Sequence, residues 1–64
     1  MLNYAFYTRG PKVEIVELRG LEKGCDYQIR DYYNDVDYGV VRASEKTVLD
    51  ASFDLALLLE GIKL

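Results

Sequence analysis

Sixty-four residues make one domain, and an apolar share of one half suits a folded chain and excludes disorder. Eleven acidic residues against eight basic ones leave a net charge of −3. The chain lacks the surplus of lysine and arginine that phosphate contacts draw on, which excludes nucleic acid and anionic membranes as direct partners.

The chain has no histidine and a single cysteine, Cys25, which excludes an intrachain disulfide and a tetrahedral zinc site. The start Met1-Leu2-Asn3-Tyr4 lacks the basic and apolar stretches of a secretory leader, and no apolar run approaches the roughly 18 residues of a membrane span. A reducing cytoplasm is the expected location.

Turn residues punctuate the chain into short strands. Leu2, Tyr4, Phe6 and Thr8 alternate with Asn3, Ala5 and Tyr7, which predicts a strand broken by Arg9-Gly10-Pro11. Lys12 to Arg19 predicts a second strand whose phase slips, with Val13 and Ile15 pointing one way and Val16 and Leu18 the other. Such a slip calls for a bulge near Ile15-Val16 or for cover on both faces. A loop bracketed by Gly20 and Gly24 follows.

Cys25, Tyr27 and Ile29 alternate with Asp26, Gln28 and Arg30 in a third strand that runs on towards Tyr33. Asn34-Asp35-Val36-Asp37 reads as a polar turn, and a fourth strand runs from Tyr38 to about Arg42. Ser44-Glu45-Lys46 reads as a tight turn into a short fifth strand, Thr47 to about Asp50. The rival reading is one helix from Ser44 onward.

The last predicted element is a helix from Phe53 to Glu60, with Ser52 as N-cap, Asp54 at the positive end of the dipole and Gly61 as the stop. Leu55, Leu58, Leu59 and Ile62 would form the stripe that lies on the sheet. Phe53, Leu57 and Leu64 would form a second stripe on roughly the opposite side. Either the sheet curls over both stripes, or the second one builds a homodimer interface. The expected fold class is therefore α+β: a mainly antiparallel sheet of four to five strands with one C-terminal helix packed on it.

Catalytic chemistry is hard to assemble from this inventory. Without histidine the commonest general base is missing, along with the Ser-His and Cys-His nucleophile pairs. Cys25 opens an apolar alternation and reads as a small buried hydrophobe. The glycines match no phosphate-binding spacing, and Asp35-Val36-Asp37-Tyr38-Gly39 lacks the remaining ligands of a calcium loop. No catalytic, cofactor or metal residues are expected.

One segment has an unusual composition. Asp26 to Tyr38 holds four of the six tyrosines, and its four aspartates against one arginine give −3, the net charge of the whole chain. Tyrosine among short polar residues is a composition of binding surfaces, because each ring offers stiff contact area at little entropic cost. Aspartates around it would steer a basic partner. The expected partner-binding residues are Asp31, Tyr32, Tyr33, Asp35 and Asp37, and the expected partner is a basic nucleic-acid-binding protein. The bland alternative is that Tyr27 faces the core and Asp35 and Asp37 only form a turn.

In size, acidity and tyrosine content the chain resembles the small proteins with which bacteriophages disable host nucleic-acid machinery: anti-CRISPR proteins, anti-restriction proteins and inhibitors of uracil-DNA glycosylase. A second likeness is local. Tyr38-Gly39-Val40-Val41 followed by Ser52-Phe53-Asp54-Leu55-Ala56-Leu57 is similar to the strand–strand–helix core of HicB-type antitoxins, with Ser44-Glu45-Lys46 where that family has a Pro-Gly turn. Both resemblances imply inhibition by surface complementarity, in the second case of a toxin RNase. A subunit that serves only to build an oligomer is the alternative from another class.

Overall fold

The computed structural model describes residues 2–64. They form four strands: β1 (Leu2–Glu17), β2 (Asp26–Asp31), β3 (Val36–Arg42) and β4 (Val48–Lys63). All neighbours are antiparallel, and the order across the sheet is β1-β4-β2-β3. There is no helix among the described residues, so the fold is all-β and the α+β expectation is corrected.

The error lies in Phe53 to Glu60. This stretch is the interior of β4, whose C-terminal half is hydrogen-bonded to β1 on one side and to β2 on the other. A central strand covered on its inner face needs the dense apolar content that leucine-rich helices also have. With its helix gone, the segment loses its likeness to a strand–strand–helix core. The reading of Thr47–Asp50 as strand agrees with the start of β4, but the strand runs on instead of giving way to a helix. Thr47 Oγ1 accepts a hydrogen bond from Ser44 N (3.0 Å), and Ser44 Oγ donates to Lys46 O (3.0 Å), closing the turn before it.

The break expected at Arg9-Gly10-Pro11 is not a turn between two strands but a bend within one. The β1–β4 register is continuous from Leu2↔Gly61 to Tyr7↔Ala56, shifts, and resumes from Pro11↔Asp54 to Glu17↔Val48. Gly10 takes φ 132 there, and across the bend Leu55 takes φ 75, a left-handed conformation that is costly for leucine. Pro11 is tolerated because β1 is an edge strand, where its missing N–H faces no partner. The slip expected near Ile15-Val16 is absent: the ladder is regular there, with Val16 and Leu18 buried while Val13 and Ile15 face solvent.

The bend is what lets four strands enclose a core. Beyond it, Val16, Ala51 and Phe53 pack in one cluster with Tyr27, Ile29, Leu57 and Leu59 of the flat part of the sheet. The far half of the β1–β4 ribbon thus folds back over the inner face of β4 and β2. Ile29, Leu57 and Leu59 are fully enclosed, and each such side chain contributes about 1.5–3 kcal/mol. Tyr27 closes one end, its hydroxyl accepting from Glu22 N (2.8 Å), while the Tyr4 hydroxyl donates to Arg19 O (2.6 Å) and ties the β1–β2 loop to β1.

Candidate interaction surface

Alternation along β2 ends on an inward-facing acid. Asp31 is 1% exposed, and its carboxylate meets four donors. Oδ1 accepts from Tyr33 N (3.0 Å), Asn34 N (3.2 Å) and Leu58 N (3.3 Å). Oδ2 accepts from Asn34 Nδ2 (2.6 Å), which also donates to Ala56 O (2.9 Å). A buried carboxylate is costly unless its lone pairs are filled, and here they are.

The consequence is a pinned turn. Tyr32–Asp35 connects β2 to β3, and Asp31 with Asn34 ties it to β4 just past the strained Leu55. Tyr32 N donates to Leu58 O (3.0 Å), adding a third tie. Asp35 takes φ 57, a conformation aspartate tolerates in turns, and its carboxylate pairs with Arg30. Tyr32 and Tyr33 stand on this turn 45% and 51% exposed.

The aspartates do not act together. Asp31 is inside, Asp35 is paired with Arg30, and Asp26 receives Arg42 Nε at 3.1 Å. Asp37 Oδ1 accepts from Gln28 Nε2 (2.6 Å) and Gly39 N (2.8 Å), where the β2–β3 register shifts. Among the described residues it is the one aspartate of the segment that is exposed without a cationic partner. Much of the charge concentrated in the sequence is thus spent on structure.

Of the expected partner-binding residues, Tyr32, Tyr33, Asp35 and Asp37 lie at the surface on one hairpin, and Asp31 lies beneath them as their anchor. Tyr27 belongs to the core and Tyr38 is half-buried. Burial raises the Tyr38 hydroxyl pKa, the Asp31 charge raises it further, and a backbone hydrogen bond from Ser52 partly offsets both. The residues of the expected oligomer stripe are separated. Phe53 and Leu57 are enclosed in the core, and only Leu64 is exposed, so no surface joins the three.

Sequence reading passed over Tyr7. Ala5 pairs with Leu58 and Tyr7 with Ala56, and Tyr32 is bonded to Leu58, so alternation sets Tyr7 and Tyr32 on the same outer face. Tyr7 is 73% exposed. The period-two pattern of the first strand carried that signal, since it put Tyr7 opposite to the buried phase of Tyr4 and Phe6.

A cavity of about 300 Å³ opens elsewhere, between the β1–β2 loop and the β3–β4 turn, lined in part by Glu17, Arg19, Glu45 and Lys46. Its mixed signs favour neither an anion nor a cation. Among the described residues no cluster of three or more acidic or cysteine side chains could hold a metal ion, and no helix is long and apolar enough to cross a membrane. No protein-family model matches the chain, and no curated protein or solved structure matches it.

Proposed function

We propose that the protein works in the cytoplasm by binding another protein through the β2–β3 hairpin, without catalysing a reaction. Tyr32 and Tyr33 are the anchors, and Asp35 and Asp37 form the polar rim. The observation that carries this reading is the pairing of two half-exposed tyrosine rings with a turn fixed from below by the buried Asp31 carboxylate. Stiff aromatic side chains on a fixed backbone lose little freedom on association, which is how a small surface gains affinity.

The most concrete form of the proposal is an inhibitor of a basic nucleic-acid-binding protein, of the kind that phages and mobile elements carry. The net charge of −3 favours encounter with a basic surface. Because Asp26 and Asp35 are already neutralised by Arg42 and Arg30, the fit of the tyrosines carries recognition and the charge only steers it.

The test is affinity capture from bacterial lysate, with the parent protein beside a Tyr32→Ala/Tyr33→Ala variant. Both rings are half-exposed and lie outside the enclosed core, and an unchanged circular dichroism spectrum is the control that the variant keeps its fold. A basic nucleic-acid-binding protein held by the parent and lost with the variant is the expected result. The same set retained by both would remove the hairpin as the site.

A further inference from the structure

β1 leaves one side of its backbone unpaired, and the hydrogen-bond pattern says which residues are involved. Leu18 N donates to Thr47 O (2.8 Å), so Leu18 directs its backbone groups at β4. By the alternation of an antiparallel ladder, Val16, Glu14 and Lys12 do the same, opposite Leu49, Ala51 and Phe53. Val13, Ile15 and Glu17 therefore direct amide and carbonyl away from the sheet. Among the described residues no other strand lies along that side of β1.

The side chains on this edge are apolar and bare. Val13 is 78% and Ile15 66% exposed, and Val48, opposite Glu17 on the same face, is exposed as well. Natural edge strands are blunted by proline, charged side chains (lysine above all) or a bulge. Here proline, lysine and the register shift sit together at Gly10, Pro11 and Lys12, and the run Val13-Glu14-Ile15-Val16-Glu17 beyond them keeps only two glutamates, of which Glu14 is paired with Lys12.

We infer that this edge pairs with the same edge of a second copy, antiparallel about a two-fold axis at Ile15, joining the two sheets. The choice of a second copy rests on self-complementarity. With Ile15 opposite its equivalent, Val13 faces Glu17 of the second copy and Glu17 faces Val13. Val13, Ile15 and Glu17 then all use both amide and carbonyl, and no like charges stand directly opposed.

The neighbouring registers are worse for stated reasons. An axis at Glu14 sets two glutamates directly against each other, a destabilising cross-strand pair. An axis at Val13 puts Pro11, which has no N–H, opposite Ile15 and carries the pairing into the bend at Gly10. An axis at Val16 leaves Val13 facing Arg19, which is outside the strand. At the Ile15 axis the Glu14 carboxylates are diagonal neighbours, and each is compensated by its own Lys12 at 3.6 Å. A core this small also gains from a second subunit.

The test combines sedimentation equilibrium with site-selective crosslinking. The parent sediments as a dimer, the Ile15→Lys variant as a folded monomer, and the Tyr32→Ala/Tyr33→Ala variant stays dimeric, because the pairing is independent of the hairpin. In a Cys25→Ser background, Ile15→Cys forms an intermolecular disulfide at least tenfold faster than Val13→Cys. Residues opposite each other in a hydrogen-bonded pair have Cα atoms about 5.5 Å apart, within disulfide reach. Equivalent Val13 positions would be four residues apart along the strands, roughly 14 Å. A parent that remains monomeric at millimolar concentration overturns the inference. So does a larger assembly, a dimer that Ile15→Lys leaves intact, or crosslinking without preference for Ile15→Cys.

Discussion

Asp31→Asn is the change that tests the pinned hairpin most directly. The amide keeps an oxygen for Tyr33 N, Asn34 N and Leu58 N, but those bonds lose their charge-assisted strength. Its NH₂ group then faces Asn34 Nδ2, donor against donor. Asn34 cannot resolve this by flipping, because its Nδ2 also serves Ala56 O. Bonds to a charged acceptor are worth about 1.5–3 kcal/mol against about 0.5–1.5 for neutral ones. Weakening three by about 1.25 kcal/mol each and losing one worth about 2.25 therefore costs roughly 6 kcal/mol, and relief from burying a charge, worth several kcal/mol, returns most of it. The expected net loss is about 2 kcal/mol.

For a chain of this length total stability is on the order of 3–10 kcal/mol, so the loss is readily measured. With a urea m-value of about 1 kcal/mol/M, the midpoint falls by about 2 M. Tyrosine fluorescence reports the transition, since the chain has no tryptophan. A double-mutant cycle with Asn34→Ala isolates the side-chain bond, and a coupling of about 1 kcal/mol is expected. A cost below about 0.5 kcal/mol for Asp31→Asn, or Asn34→Ala costing the same in both backgrounds, would refute the account of Asp31 as the anchor.

The other expectations are simpler. Leu55→Gly raises stability by about 0.5 kcal/mol, because relief of the left-handed leucine exceeds the entropic cost of glycine and the side chain is mostly exposed; thermal unfolding shows this as a midpoint about 2–4 °C higher. Stability falls in alkali. Burial holds the Tyr4 and Tyr38 hydroxyls above their ordinary value of 10.0, helped by Tyr27 and Asp31 respectively. The unfolded chain then releases these protons first, so the contribution is complete below pH 10 and is lost as pH rises through the folded values. Urea midpoints measured across this range decline for the parent and decline less for Tyr4→Phe/Tyr38→Phe.

The strands were legible in the sequence where one face is buried and the other wet. Leu2–Tyr7 and Cys25–Arg30 show that alternation, and both lie in strands or beside them. The signal failed at β4. Ala51, Phe53, Leu57, Leu59 and Gly61 keep a single parity of burial, but Leu55 breaks it with a left-handed bulge and Ala56 is buried beside Leu57. Irregularity at the bend, added to good helix formers such as leucine and alanine, makes the period look closer to 3.6 than to 2. The excess of apolar surface on the expected helix was the warning. The residues of the two expected stripes are, on a strand, an inner row within the core and a scatter of outer residues.

The candidate site shows the same division. Tyr32 and Tyr33 could be found by composition, because exposed aromatics on a polar hairpin leave a mark in the sequence itself. The burial of Asp31 could not, because Leu58 N, its one donor from outside the turn, lies 27 residues away and enters only through the β4–β2 pairing. An acidic cluster in a sequence is a sum over residues, whereas a surface potential depends on which of them fold inward and which meet a cation. Here one aspartate folds inward and two meet arginines, and what the hairpin leaves at its surface is Asp37 and two half-exposed tyrosines on a pinned turn.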